Sequence, residues 1–153
     1  MNQPILNRQQ FCQVALVVHD IEHARQTYAK VLACEPPPVI ITDPAEKSHI
    51  QYRGATTPAR AKLAFFSLGN VQLELIEPID GPSIWREHLD RHGAGIHHIA
   101  FRVADMQQTT DALAERGCPT VQTGDFTGGC YAYVDSAPQL GVMLELLQVT
   151  NAK

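Results

Sequence analysis

The sequence predicts an α+β fold in which two related βαβββ modules pair into a cup-shaped, mostly antiparallel eight-stranded sheet with helices outside. Two internal echoes and one alternation support this reading. Segment QVALVVHDI, Gln13 to Ile21, aligns without a gap with HIAFRVADM, His98 to Met106, so a polar head, an apolar strand and an Asp recur together. Segment VQLELIE, Val71 to Glu77, matches VMLELLQ, Val142 to Gln148. Within these runs the side chains alternate in character with a period of two, as in a strand whose two faces meet different surroundings.

The elements follow in order. Strand Phe11 to Val18 turns Val14, Leu16 and Val18 to one face and Gln13, Ala15 and Val17 to the other. Asp20 is placed as an N-cap, and Ile21, Ala24, Tyr28, Val31 and Leu32 follow at helical spacing, giving an amphipathic helix from Asp20 to Ala33 that ends before Pro36 to Pro38. A short strand is expected around Val39 to Thr42, then loops marked by Pro44, Gly54 and Pro58. Ala61 to Leu68 and Val71 to Glu77 flank Gly69 and Asn70, which both tolerate the positive φ of a tight hairpin. Asp80, Gly81 and Pro82 turn the chain into a short helix, Ser83 to Asp90. The second half repeats the plan: a strand at Ile96 to Val103, a helix capped by Asp105 and stopped at Gly117, and a last hairpin of Gly129 to Asp135 and Val142 to Gln148. A half sheet of four strands cannot bury both faces alone, so the halves are expected to pair within a single domain spanning residues 1–153. Module one covers about 11–78 and module two about 95–149, with the short helix 83–90 between them.

Composition narrows the function. A chain of 153 residues buries a core without staples. A net charge of −4 with no basic run argues against nucleic acid, because phosphate contacts need clustered Lys and Arg. The opening MNQPILNRQQ has neither an export pattern nor an apolar span, so no membrane association and a cytoplasmic location are expected. Cys12, Cys34, Cys118 and Cys130 form no CxxC pair and read as ordinary thiols, Cys12 being the one beside the candidate site.

That site comes from parity. His98 shares a face with Ala100 and Arg102, opposite Ile99, Phe101 and Val103; Glu74 opposes Leu73 and Leu75; Glu145 opposes Leu144 and Leu146. Gln13, Glu74, His98 and Glu145 therefore all lie opposite the face that packs on helices, and they sit at equivalent repeat positions. A half-exposed sheet carries polar residues on its wet face for no chemical reason, but four at equivalent positions point to one shared site. Two carboxylates, an imidazole and an amide offer oxygen and nitrogen donors without a thiolate, which suits a six-coordinate divalent ion: Co, Ni, Mn, Zn or Mg. Parity turns His97 away from the hollow, as a packing histidine. Tyr131 and Tyr133 share a face, inside or outside the hollow according to the register of the last hairpin.

Carried by these residues, the chain resembles the vicinal oxygen chelate superfamily over nearly its whole length. That superfamily includes glyoxalase I, methylmalonyl-CoA epimerases, extradiol dioxygenases, fosfomycin-resistance enzymes and bleomycin-binding proteins. The resemblance implies paired modules and metal ligands on the first and last strands of each, the positions of Gln13, Glu74, His98 and Glu145. The dioxygenase and fosfomycin branches carry a histidine where Gln13 stands, and bleomycin-binding relatives dispense with the metal. Glyoxalase I matches the ligand set, but its glutathione-anchoring Arg and Asn would fall at Val17 and Pro78. The run GNVQLELIEP, GPSIWREHL, GAGIHHIAFRV and GVMLELLQ is most similar to methylmalonyl-CoA epimerase. Two departures are Gln13 for His, and TTPARAK in place of an acidic segment before the third strand. The resemblance thus implies a metal-dependent isomerase or epimerase abstracting a proton next to a carbonyl, with Glu145 as base and Glu74 as its mirror-related counterpart. Its substrate is expected to be an acyl thioester or another α-oxygenated carbonyl compound, and the protein a homodimer. The alternatives are a glyoxalase I-type lactoylglutathione lyase and, in another class, a non-catalytic metal or small-ligand binding protein of the same fold.

Overall fold

The computed structural model describes residues 3–150. Strand β1 (Phe11–Val17) leads into helix α1 (Ile21–Leu32), then β2 (Ile40–Ile41), a one-turn helix α2 (Ala45–Ser48), and a small hairpin, β3 (Gln51–Tyr52) and β4 (Ala55–Thr56). The hairpin β5 (Arg60–Leu68) and β6 (Val71–Ile79) completes the first module, and α3 (Ile84–His92) joins it to the second. There β7 (Gly95–Arg102), α4 (Met106–Ala114), β8 (Thr120–Phe126), β9 (Gly129–Val134), a short α5 (Ala137–Leu140) and β10 (Met143–Val149) follow.

The strands form one sheet in the order β2-β5-β6-β1-β7-β10-β9-β8-β3-β4. β1 pairs antiparallel with β7 at the centre, and each is flanked by the last strand of its own module in parallel, β6 beside β1 and β10 beside β7. Among the described residues ten strands replace the expected eight, because β3 and β4, read in the sequence as loop, pair with each other and β3 pairs with β8 at the far edge. β2 and β3 thus occupy opposite ends of the sheet, yet the link between them, residues 42–50, spans at most about 30 Å. Only a strongly curled sheet permits that. His49 also reaches Asp125 across the join at 2.8 Å.

The internal repeat extends to how the outer helices are held. Asp20 and Asp105 accept from the backbone N–H of His23 and Gln108 at 3.0 and 2.9 Å, the N-caps expected from the sequence. A side chain from each module's last strand adds a second acceptor: Glu77 takes the Ile21 N–H at 2.8 Å and Gln148 the Met106 N–H at 2.7 Å. These are equivalent positions, so each last strand is tied to its own helix at the end where backbone donors lack partners. On the convex face α1 packs Ile21 and Ala29 on Ala64, Phe66 and Leu75, while α4 packs Leu113 near Val134, Leu144 and Leu146.

One helix departs from the expectation that all lie outside. α3 enters the cup: Ile84, Trp85 and Leu89 pack with Ala15, Val17, Ala61 and Ile76, the residues that share the concave face with the candidate ligands. Its amphipathic pattern is real, but the partner is the inner surface. Ser83 caps it through the Arg86 N–H at 3.0 Å, and Gln122 from β8 accepts the Ile84 N–H at 2.8 Å. The β3–β4 hairpin holds it from outside through Tyr52 and Arg53, which both bond to Glu87.

Removing either paired acceptor leaves a helix N-terminus short of one partner. Gln148→Ala and Glu77→Ala should each lower stability by about 1 kcal/mol, read from urea midpoints.

Candidate functional site

Two irregularities in the central pair create the local geometry. Along β1–β7, Phe11 faces Phe101 and Gln13 faces Ala100, so Cys12 is an extra residue; Ala15 faces His98 and Leu16 faces Ile96, so His97 is another. Both are β-bulges, and they fall at equivalent repeat positions, each directly before a candidate ligand. At a bulge the strict alternation of faces lapses. His97 therefore does not point away from the hollow as parity predicts: its ring lies 5.1 Å from that of His98 and 5.6 Å from that of Tyr133, centroid to centroid.

Gln13, Glu74, His98 and Glu145 converge, each buried, with relative exposures of 5, 6, 0 and 5%. His98 Nε2 lies 3.0 Å from Glu145 Oε2, 3.5 Å from Glu74 Oε2 and 3.3 Å from Gln13 Oε1. One ligand atom from each of Glu74, His98 and Glu145 can be chosen so that all lie within 4.8 Å of one another. Neighbouring ligands around an ion with bonds of about 2.1 Å stand roughly 3 Å apart, so these donors fit a divalent ion in both type and spacing.

The electrostatics agree. Burial works against a charged imidazole, but Glu145 and then Glu74 overcome it and raise the His98 pKa to about 9. Burial raises Glu74 above the usual carboxylate range, against the opposing hydrogen bond from His98. Without a metal the His98 imidazolium thus stands among the acidic oxygens, the place that a cation would take. His97 Nδ1 lies 2.8 Å from His98 Nδ1. Burial, then the neighbouring His98, keeps His97 neutral, so it accepts the Nδ1 proton of His98 and leaves His98 Nε2 facing the carboxylates. Among the described residues the other nitrogen of His97 has no hydrogen-bond partner, so it is not the satisfied packing histidine that the sequence suggests.

Tyr131 and Tyr133 both turn inward, which settles the register left open by the sequence. The Tyr133 ring is 4.9 Å from that of His98, and its hydroxyl accepts from Trp85 Nε1 at 3.0 Å. Gly124 makes room for Tyr131, whose ring a Cβ there would strike. With α3 these aromatics close one end of the cup. At the other a pocket of about 230 Å³ opens on Gln13, among Cys12, Ser67, Gln72, Arg102 and Leu147. A larger groove of about 820 Å³ touches His97, Arg53 and Arg91 but none of the four candidate ligands. Cys12 is held protonated chiefly by burial. Alternation alone could have singled out Gln72, two residues before Glu74, and the amphipathic GPSIWREHL segment could have singled out Trp85; the role of His97 depends on a bulge.

The family model for the Glyoxalase/Bleomycin resistance protein/Dioxygenase superfamily matches residues 12–134. The chain belongs to this superfamily. It is 28% identical over 141 residues to an ethylmalonyl-CoA/methylmalonyl-CoA epimerase of Cereibacter sphaeroides, covering 89% of this chain and 95% of the relative. In structure it is similar to methylmalonyl-CoA epimerase from Mycobacterium tuberculosis, with a TM-score of 0.62, 22% identity and coverage of 92 and 88%. A Streptomyces coelicolor methylmalonyl-CoA epimerase variant in complex with 2-nitronate-propionyl-CoA gives a TM-score of 0.63 at 19% identity, covering 94 and 98%. These structures share the fold. No helix among the described residues is long and apolar enough to cross a membrane.

The His98 charge carries a pH signature. Its folded pKa, about 9, lies above the free value of 6.5, so its stabilising effect is complete below 6.5 and is lost as pH rises through about 9. The melting midpoint of metal-free protein should fall across that window, and His98→Gln should flatten the fall.

Proposed function

We propose that the protein is a metal-dependent isomerase or epimerase that moves a proton on the carbon next to a carbonyl, with acyl thioesters of the methylmalonyl-CoA kind as its substrate class. The observation that carries this reading is the meeting of two buried carboxylates, from corresponding strands of the two modules, on one imidazole. The relatedness to an ethylmalonyl-CoA/methylmalonyl-CoA epimerase supports it independently.

Gln13, Glu74, His98 and Glu145 would hold a divalent ion: Co, Ni, Mn, Zn or Mg. When bound, the ion supplies Lewis-acid polarisation of the substrate carbonyl. Glu145 takes the α proton. Its oxygen lies 3.0 Å from His98 Nε2, so the base would stand within the cluster that holds the ion and the polarised carbonyl. Glu74 approaches the same imidazole from the other module and serves as the second base or as the fixed anion. Tyr133 and Trp85 keep water from that end of the cup. Arg102, in the pocket over Gln13, is placed to receive a substrate carboxylate.

A glyoxalase I-type reaction draws on the same ligand set, but Val17 and Pro78, at the positions of its glutathione anchors, are both fully buried in this fold. The hemithioacetal of methylglyoxal and glutathione is accordingly expected not to turn over. A non-catalytic binding protein would bind an acyl thioester without incorporating deuterium.

Glu145→Gln should reduce solvent deuterium incorporation into methylmalonyl-CoA by about 10²-fold or more while metal content falls only in part. Unchanged exchange would exclude Glu145 as the base. Stripping metal with a chelator should abolish exchange, and adding cobalt or manganese should restore it.

A further inference from the structure

The Gln13 amide has two unlike ends, and only one suits a cation. With the oxygen inward, Oε1 lies 3.3 Å from His98 Nε2, and Gln13 Nε2 donates to Gln72 Oε1 at 2.8 Å. With the nitrogen inward, it would donate to Glu74 Oε2 at 3.1 Å and Glu145 Oε2 at 3.0 Å. The second arrangement suits a site without a metal, because an inward oxygen otherwise faces two acidic groups. It has a condition, however. The Gln13 oxygen would then meet Gln72 Oε1, acceptor against acceptor, unless Gln72 turns its own amide to donate.

From this we infer that Gln72 is a positioning residue that selects which end of Gln13 faces the centre, and so tunes whether the site takes a divalent ion. The inference rests on the metal-dependent reading above. Gln72 stands directly beside Gln13 in the parallel β1–β6 register, and it shares with Glu74 the concave face of β6. Its acceptor end toward Gln13 leaves the Gln13 nitrogen occupied and the oxygen free for a metal. Gln72 also lines the 230 Å³ pocket that opens on Gln13.

The test measures cobalt and zinc affinity of chelator-stripped protein by calorimetry. Gln72→Met keeps the length of the side chain and removes the acceptor; it should weaken binding about tenfold, with the melting midpoint of stripped protein unchanged. Gln72→Glu, which can only accept, should bind at least as tightly as the wild type. In a Gln13→Glu background, where the two ends of the side chain are equivalent, Gln72→Met should have no effect. Should that background not fold, the side-chain NH₂ resonances of Gln13 and Gln72 in ¹⁵N-labelled wild type should shift together on adding zinc. Equal loss in both backgrounds, no loss in either, or a shift of only one amide overturns the role of Gln72. Wild-type protein that exchanges deuterium and binds cobalt, yet is indifferent to Gln72→Met, overturns this inference and leaves the proposed reaction standing. Wild-type protein that takes up no ion overturns both.

Discussion

β1 and β7 join the two modules along a single antiparallel seam, and each strand carries one residue more than its partner can match. A bulge bends its strand and sharpens the local twist. Two bulges at equivalent positions bend the seam twice, where the sheet has to curl far enough for the β3–β4 hairpin to reach β8. They also place consecutive side chains, Cys12 with Gln13 and His97 with His98, beside the hollow. The flanking strands β6 and β10 then run parallel to the first strand of their own module and bring Glu74 and Glu145 in from either side. The site is a consequence of how the seam closes.

Such a cluster is expensive to bury. Two carboxylates removed from water cost several kcal/mol each unless compensated, and one imidazolium compensates only one of them. Glu74 shows the residue of that imbalance, since burial lifts it above the ordinary carboxylate range. A divalent cation on neutral His98 would balance both carboxylates at once. α3 heightens the demand by filling one end of the cup with Ile84, Trp85 and Leu89, so that charge at His98 meets aromatic rings and goes unscreened by water. A fold that plugs its own cup leaves one open side, over Gln13.

Much of this was legible in the sequence because it is local or repeated. Asp20 and Asp105 cap as their positions predict, the Gly69–Asn70 hairpin forms, and alternation places Gln13, Glu74, His98 and Glu145 on one face. What stayed hidden is non-local. The amphipathic pattern of α3 says that it buries one side, but a sheet with two apolar faces offers two places to bury it. β3 and β4 are two residues each, and their hairpin joins the sheet only through the pairing of β3 with β8, some seventy residues on. β8 itself, TVQTGDF, is too polar to announce a strand, because Gln122 is spent on the α3 N-terminus. The bulges escape for a related reason: an extra residue shows only against the partner strand, and for His97 it overturns the parity argument.

The related halves also solve one chemical problem in two ways. The two oxygens of a carboxylate are equivalent, so Glu74 and Glu145 present the same atom whichever way they rotate. An amide and an imidazole have unequal ends, and each needs a neighbour that fixes which end it shows. Module two fixes His98 with His97, the residue before it in the bulge. In module one that bulge position is Cys12, whose thiol points to the Ala100 carbonyl and cannot sort an amide. The equivalent work there falls to the adjacent strand, where Gln72 occupies the position that Met143 holds beside His98. Among the four candidate ligands, the two with a choice of end are thus the two that have a sorting partner in contact with them, which is the pattern expected of donors held for a cation rather than of polar residues left on a wet face.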